Sequence, residues 1–348
     1  MVLAVTAVFK RHFTLFYIVK NLICEYICLL SAQCRITNLI LNAMIVKTAQ
    51  LFSNAKPVSK TGKFFQYPLI RIITALLFLL PVFLLNKAVS EFAISPVPEE
   101  FRVYVKYGEA IIFFILFLLA FGLYTKYIEK RKAPEISSKQ SWTEFGWGFL
   151  IAFILVGLTV FILFIFGSYK ISGWNPDKRV VIDFFFKFLM GGLLEEIIFR
   201  LIIFKLTEEL LGSWFALGIQ AVLFGFAHMA NENATLFTSF AVIIVGGILY
   251  TSAFMYTHRI WLPMGIHAGW NYFQSAIFGM PNSGTPYKGL IIPDVHGNEW
   301  LTGGSFGIEA SYISILLCLL AGIYFMIRAI KANQIVLPAW KRNKTVET

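Results

Sequence analysis

Charged residues are scarce in this 348-residue chain, at 14% of the sequence against about 25% in soluble domains. Acidic residues are the fewest, with 19 Asp and Glu against 30 Lys and Arg. Hydrophobic residues make up 58% of the chain. They occur in runs of about 20, long enough to cross a bilayer as a helix. The scarcity of charge excludes an ordinary soluble domain, and the unbroken runs exclude the alternating strands of an outer-membrane barrel.

Cysteines are also few, and the basic residues form no separate domain. The four cysteines contain no CxxC motif, so they indicate neither a disulfide framework nor a redox compartment: Cys24, Cys28, Cys34 and Cys318. The net charge of +11 comes from short basic stretches beside the apolar runs, the pattern of positive-inside topology. We therefore expect the lipid bilayer as a partner, and no nucleic acid.

The apolar runs predict an all-α fold, a polytopic transmembrane helical bundle of about eight spans. The predicted spans are 67–86, 108–127, 146–167, 181–204, 212–230, 235–256, 260–278 and 308–330. Basic stretches, including Arg200/Lys205 and His258/Arg259, alternate along the chain with acidic or uncharged connections. This alternation and the even number of spans place both termini in the cytoplasm. The protein is thus expected to be an integral, multi-pass protein of a prokaryotic plasma membrane, with 279–307 as an external loop.

The N-terminal segment 1–60 differs in composition from the rest. It holds three of the four cysteines, and basic residues interrupt its apolar stretches before they reach spanning length. Two explanations stay open for the part before Met44: a mis-assigned start codon or an interfacial amphipathic segment. The membrane domain is expected at 61–335.

Ionisable residues inside a span are costly and need a partner or a task. The fourth span contains GGLLEEIIFR, with Glu195, Glu196 and Arg200. Glu196 and Arg200 have the favourable i,i+4 spacing and are assigned to each other, which leaves Glu195 without a dedicated cation. Such a carboxylate binds a proton more tightly, as a general base near neutral pH requires. Nearer the start of this span, Asp183 and Lys187 have the same spacing and predict a structural ion pair.

Two further spans carry polar residues of the same kind. The fifth contains Phe224 and His228 in FGFAHMAN, and the seventh contains His267 and Asn271 in GIHAGWN. A single intramembrane histidine is more often an interhelical hydrogen-bond partner than a catalyst, but here the polar residues form a cluster on three spans. The small pairs Gly191/Gly192 and Gly265/Gly269 would let these spans approach closely. The other histidines are given no role: His12, His258 and His296.

These three motifs resemble those of the CPBP family (CAAX proteases and bacteriocin-processing enzymes, also called Abi proteins). That family of intramembrane proteases includes the type II CAAX prenyl endopeptidases. It is recognised by EExxxR, FxxxH and HxxxN in this order on separate helices. Here they are Glu195 to Arg200, Phe224 to His228, and His267 to Asn271. The resemblance covers about residues 180–278, and all motif positions match.

The resemblance implies hydrolysis of peptide bonds in a membrane-associated protein or peptide. Glu195 and His228 would activate a water, while His267 and Asn271 would hold the developing oxyanion. A divalent metal such as zinc stays open, with Glu195, His228 and His267 as its ligands, although we favour the metal-free mechanism. The alternatives are a catalytically silent membrane scaffold and a proton-coupled transporter. Transport is disfavoured because the chain lacks an internal repeat.

Overall fold

A computed structural model describes residues 51–342 of the chain. Most of the predicted N-terminal segment, including Met44, lies outside this range, as do His12 and three of the four cysteines. Cys318 is buried and has a free thiol.

The described chain is built mainly from helices. The α-helices are α1 Lys60–Phe65, α2 Pro68–Ala88, α3 Glu99–Tyr127, α4 Ser141–Ile165, α5 Val180–Glu196, α6 Lys205–Leu211, α7 Ser213–Ala227, α8 Leu236–Val242, α9 Leu249–Thr257, α10 Trp261–Asn271, α11 Glu299–Thr302, α12 Tyr312–Lys331 and α13 Ala339–Arg342. Wider π-helical segments extend or join several of them: Val89–Ile94, Ile197–Phe204, Ile243–Ile248 and Tyr272–Ile277. Short 3-10 turns occur at Pro134–Ile136, His228–Ala230, Gly304–Phe306 and Ile308–Ala310. The predicted all-α polytopic bundle is confirmed.

Within residues 51–342, six helical stretches are long and apolar enough to cross a membrane. They are Pro68–Ile94, Glu99–Tyr127, Ser141–Ile165, Ser213–Ala230, Leu236–Thr257 and Tyr312–Lys331. The stretch Leu236–Thr257 is the most buried of the six and lies innermost in the bundle. The predicted fourth and seventh spans are helices as well, but the fourth carries the charged residues of the motifs and the seventh is short. These two helices, with α7, carry the candidate site.

The fourth helix extends beyond its predicted end at residue 204. Its α and π segments run without a break from Val180 to Leu211. Lys205 and Glu208 are fully buried in this extension. Each has a buried partner: Lys205 Nζ lies 2.7 Å from Glu129 Oε2, and Glu208 Oε2 lies 3.3 Å from His258 Nε2. The charged residues at the predicted helix end therefore have partners that are distant in sequence.

The connection 279–307 is more ordered than the external loop predicted for it. Its strand β2, Ile291–Val295, pairs antiparallel with β1, Tyr169–Trp174, with a bulge between Ile171 and Gly173. The β-branched residues of β2 favour an extended backbone, and its partner strand comes from the connection before α5. This strand pair joins the middle of the connection to the segment before α5.

Glycines allow the motif helices to pack closely, although not always against one another. A Cβ at Gly265 would lie 2.3 Å from Phe145 O, and one at Gly269 would lie 2.9 Å from Ala152 Cβ, so both face α4. Gly192 lies against Ala268 of α10, whereas a Cβ at Gly191 would meet no atom within 4 Å. The predicted close approach of α5 and α10 thus depends on Gly192, and the Gly265/Gly269 pair joins α10 to α4.

Candidate active site

The three motifs converge on one cavity of about 380 Å³. It is lined by Glu195, Phe224, His228, Tyr250, His267, Asn271, Asn282, Ser283 and Glu309, with eight neighbours. The extended fourth helix explains why these residues meet. Measured from the turn between α6 and α7, Glu195 lies about 24 Å before Leu211 and His228 about 22 Å after Ser213, at 1.5 Å per residue. The two side chains therefore reach the same depth from antiparallel helices.

Arg200 is fully buried and forms the predicted pair with Glu196. Its Nη1 lies 2.9 Å from Glu196 Oε1, and its Nη2 donates a hydrogen bond of 2.7 Å to Gly246 O. The guanidinium also lies over the Phe224 ring, 4.6 Å from its centroid. Arg200 thus neutralises Glu196 and is also held by Gly246 and Phe224.

A π-helical segment adjoins each of three site elements. One follows Glu196 directly, one contains Gly246, and one follows Asn271 directly. π-turns are rare and frequent at functional sites, because the wider turn changes the direction of the side chains beside it. The motif spacing alone gives no sign of these segments.

His267 lies between the two carboxylates. Its Nδ1 is 2.9 Å from Glu196 Oε1, and its Nε2 is 3.8 Å from Glu195 Oε2. Tyr250 stacks on the imidazole with ring centroids 4.8 Å apart. Three contacts thus fix the ring plane of His267, with Nε2 directed towards Glu195.

Glu195 is the carboxylate with the fewest partners in the cluster. Its side chain is 37% exposed, whereas that of Glu196 is fully buried. Within residues 51–342, Glu195 Oε2 has no hydrogen-bond partner. This geometry agrees with the sequence prediction that Glu195 has no cation of its own. His267 is an ionisable neighbour of Glu195.

His228 lies in the 3-10 turn at the end of α7, beside the cavity. Its Nδ1 lies 2.8 Å from Phe224 O. Because a carbonyl only accepts hydrogen bonds, Nδ1 carries the proton and Nε2 keeps a lone pair in the neutral ring. The FxxxH spacing therefore orients the histidine through the backbone of Phe224, and the Phe224 ring packs 4.8 Å from the imidazole.

Asn271 receives a hydrogen bond from a residue outside the motifs. Asn282 Nδ2 donates to Asn271 Oδ1 at 3.0 Å. The Asn271 amide nitrogen is then left for a ligand in the cavity.

The donor set for a metal does not assemble in this arrangement. Within residues 51–342, no three His, Cys, Asp or Glu side chains come together as a group that could hold a metal ion. Glu195, His228 and His267 therefore do not form a metal-binding group in the described part of the chain.

Several cavity residues lie outside the three sequence motifs. Tyr250 lies in an apolar run and gives no signal. Asn282 and Ser283 belong to a connection whose position the sequence does not reveal. Glu309 had a signal, because it is the single acidic residue of the predicted span 308–330. It precedes α12, outside the membrane-spanning stretch, and burial raises the pKa of its carboxyl to about 7.

Other predicted polar residues lie away from the cavity or have other partners. Asp183 and Lys187 do not pair, so that prediction is wrong: Asp183 accepts a hydrogen bond from Tyr107, and Lys187 Nζ lies 4.5 Å above the Tyr287 ring. His258 is not in an exposed loop but buried, with Nδ1 3.1 Å from Gln334 Oε1. In both cases the contacts of the side chain are made with residues distant in sequence.

Comparison with known proteins agrees with the resemblance read from the motifs. Residues 177–273 match the family model described as type II CAAX prenyl endopeptidase Rce1-like. The chain is also 38% identical over 87 residues to "Putative membrane peptidase YdiL" of Bacillus subtilis (strain 168), an alignment covering 24% of this chain and 32% of that protein. The chain thus spans about a third of the length of this curated relative. No solved structure matches the chain significantly.

The family match contains all three motifs and the helices that carry them. It begins just before α5 and ends just after Asn271, so it covers the part of the chain that supplies most of the cavity. The resemblance is confirmed for this region: residues 177–273 are similar to the type II CAAX prenyl endopeptidases.

Proposed function

We propose that the protein is an intramembrane endopeptidase that hydrolyses peptide bonds of a membrane-associated protein or peptide. The observation that carries the proposal is Glu195, a carboxylate without its own cation, in one cavity with two histidines and an asparagine amide. A base, an imidazole and neutral or cationic N–H donors are the groups that acyl hydrolysis needs. The match to a peptidase family supports this reaction class.

Glu195 and His228 serve as the groups that activate water. Glu195 presents a carboxylate oxygen to the cavity, and His228 presents Nε2 with a free lone pair. Both therefore accept hydrogen bonds from a water, and Glu195 takes its proton as the water attacks the carbonyl carbon. The proton then passes to the leaving amine, so that hydrolysis consumes one water and leaves both residues unchanged.

The oxyanion role that we propose for His267 requires a proton on both ring nitrogens, because Nδ1 also donates to Glu196. Glu195 and Glu196 carry two negative charges, and Arg200 supplies a single positive one. Because an uncompensated charge is costly in a buried site, a second positive charge on His267 makes the cluster neutral. His267 then donates from Nδ1 to Glu196 and keeps a proton on Nε2.

His267 and Asn271 form the oxyanion site in this scheme. His267 Nε2 and Asn271 Nδ2 donate to the oxygen of the tetrahedral intermediate, where negative charge develops. Fixed donors of this kind stabilise the transition state because they need no reorganisation during the reaction. The contacts of His267 to Glu196 and Tyr250, and of Asn271 to Asn282, support fixed positions for both.

We also propose that the protein lies in a prokaryotic plasma membrane with both termini in the cytoplasm. Exposed Lys130 and Lys132 still support this orientation. Arg200 and Lys205 do not support it, because they are buried within a helix. His258 and Arg259 lie in the connection between α9 and α10, but they are buried in polar contacts and not exposed to the cytoplasm.

The test is hydrolysis by purified protein reconstituted in liposomes. The probe is an internally quenched peptide with a prenylated cysteine, compared with the same peptide without the prenyl group. We expect Glu195→Gln to lower kcat by about 10²–10⁴-fold, the usual contribution of a general base. Glu299→Gln, in the exposed first turn of α11, is the matched control and should retain wild-type activity.

Two results would contradict the proposal. An active Glu195→Gln together with an inactive, folded Glu196→Gln would exchange the roles of the carboxylates. A folded wild-type protein that cleaves neither peptide would instead favour a silent scaffold, or a transporter if it carried protons into the liposomes.

A further inference from the structure

A tight turn outside the three motifs enters the catalytic cavity. It comprises residues 282–285, Asn-Ser-Gly-Thr, and is closed by Asn282 N to Thr285 O and Thr285 N to Asn282 O, both 2.9 Å. Its central residues both have positive φ, 46° at Ser283 and 87° at Gly284, the pattern of a type I′ turn. Positive φ is uncommon for a serine, so surrounding contacts must hold it.

Glu309 supplies those contacts at Ser283. Its carboxylate accepts the backbone N–H of Ser283 at 2.9 Å and the hydroxyl at 3.0 Å. On the other side of the turn, Gly284 N donates to Phe306 O at 2.9 Å, and a Cβ at Gly284 would lie 1.7 Å from Glu232 O. The backbone of the turn is therefore fixed on two sides, one of them by a buried carboxylate.

Asn282 projects from this fixed turn onto Asn271. It is 7% exposed, and its Nδ2 donates to Asn271 Oδ1 at 3.0 Å. Within residues 51–342, no side chain or backbone group accepts a hydrogen bond from Asn271 Nδ2. The two ends of an asparagine amide have nearly the same shape, so packing alone does not choose which end faces the cavity. The Asn282 Nδ2 donor opposite Oδ1 makes this choice, from a turn whose backbone is held on two sides.

We infer that Asn282 is a positioning residue that orients the Asn271 amide, so that its Nδ2 and not its Oδ1 faces the cavity. The inference rests on the proposed function, because it assigns Asn271 Nδ2 to the oxyanion. An Oδ1 in that place would repel the developing negative charge instead of stabilising it.

The decisive variant is Asn282→Asp, which has the same shape but only accepts hydrogen bonds. Asn271 must then turn its Nδ2 towards residue 282, and its Oδ1 faces the oxyanion. We expect kcat on the prenylated quenched peptide to fall by about 10²–10³-fold, as for loss of one oxyanion donor, with little change in KM. Asn298→Asp is the matched control, because Asn298 caps α11 through its side-chain oxygen, which aspartate keeps.

Two further variants separate orientation from structural support. Asn282→Ala removes the hydrogen bond and leaves Asn271 free to rotate, so kcat should fall less than in Asn282→Asp. A merely structural role predicts the reverse, because alanine also leaves a void. In an Asn271→Ala background, Asn282→Asp should have no further effect on kcat, since no amide remains to be oriented.

The outcomes distinguish this inference from the proposed function. If wild-type protein cleaves the peptide and folded Asn282→Asp cleaves equally well, the inference is wrong and the function stands. An equal loss from Asn282→Asp with and without Asn271 would also overturn it. If folded wild-type protein cleaves nothing, the proposed function fails, and the inference fails with it.

Discussion

Two buried polar regions on the same helix differ in how their charges are balanced. The candidate catalytic cluster consists of Glu195, Glu196, Arg200, His228, His267 and Asn271. The ion cluster lies where α6 meets the ends of α2 and α3, and consists of Arg71, Glu129, Arg131, Glu135, Lys205 and Glu209. Arg200 and Lys205 are only about 7.5 Å apart along the helix axis.

The ion cluster contains three cations and three carboxylates, arranged around Glu129. Lys205 Nζ lies 2.7 Å from the Glu129 carboxylate, Arg131 Nε lies 2.6 Å from it, and Arg71 Nη1 lies 3.3 Å from it. Arg131 also contacts Glu135 at 2.6 Å. The candidate catalytic cluster has one arginine for two carboxylates. In the proposed scheme His267 supplies the second positive charge of the candidate catalytic cluster. The two regions therefore differ in the kind of cation: the ion cluster uses only Arg and Lys, whereas the candidate catalytic cluster depends on a histidine.

Glu129→Gln should produce the largest effect on stability. It removes the anion that three buried cations share, and breaking a buried ion pair typically costs about 3–5 kcal/mol. We expect a clearly lower Tm in detergent, with hydrolysis per folded molecule unchanged. Glu195→Gln is the control from the other region and should keep its Tm, because Glu195 has no hydrogen-bonded ion pair in the described chain. Equal loss of Tm in both variants would show that Glu129 and Glu195 do not differ in their contribution to stability.

Arg200→Lys should have the next largest effect and should lower both stability and activity. Lysine keeps the charge beside Glu196 but loses the planar fork that also bonds Gly246 O and lies over Phe224. The loss of a hydrogen bond to a charged group typically costs about 1.5–3 kcal/mol. Thermal unfolding and kcat should both fall. An inactive variant with wild-type Tm would instead indicate that Arg200 contacts substrate.

Local spacing predicted the parts of the site that depend on local geometry. The i,i+4 rule identified the Glu196 and Arg200 pair, and the three motifs marked the right helices. Local spacing failed where the partners are distant in sequence: Lys187 contacts the Tyr287 ring and not Asp183. The end of the fourth helix was misplaced for the same reason, because Glu129 and His258 allow Lys205 and Glu208 to be buried inside it.

Asn282 and Glu309 illustrate a second limit of the sequence. Asn282 belongs to a turn with two positive φ values, and Glu309 contacts that turn at Ser283. No spacing rule connects residue 282 to Asn271 or residue 309 to Ser283. The fold class was easier, since runs of apolar residues depend on bilayer thickness alone. Composition therefore predicted the bundle, whereas tertiary contacts determined the details of the cavity.

Acid should destabilise the protein through the ion cluster. Burial by itself raises the pKa of Glu129, but Lys205, Arg131 and Arg71 together outweigh it, and the pKa ends below the ordinary 4.5. A lowered folded pKa contributes stability above the unfolded pKa, and that stability is lost as the pH falls through the folded value. Tm should therefore drop steeply below about pH 4.5. Glu129→Gln should weaken this drop, and an unchanged acid profile in that variant would contradict the assignment.

Glu309 should produce the smallest effect, with the opposite pH dependence. Burial raises the pKa of this carboxyl from 4.5 to about 7, although its bonds to Ser283 oppose the shift. Below 4.5 both the folded and unfolded forms are protonated, so the shift has no effect on stability. Between 4.5 and 7 the folded form holds the proton more tightly, so Glu309 lowers stability as the pH rises through this window, and the penalty is complete above it. Glu309→Gln, which cannot ionise, should show a smaller decrease in Tm between pH 5 and pH 8 than wild type. Identical decreases in the two proteins would show that Glu309 ionises as freely in the cavity as in the unfolded chain.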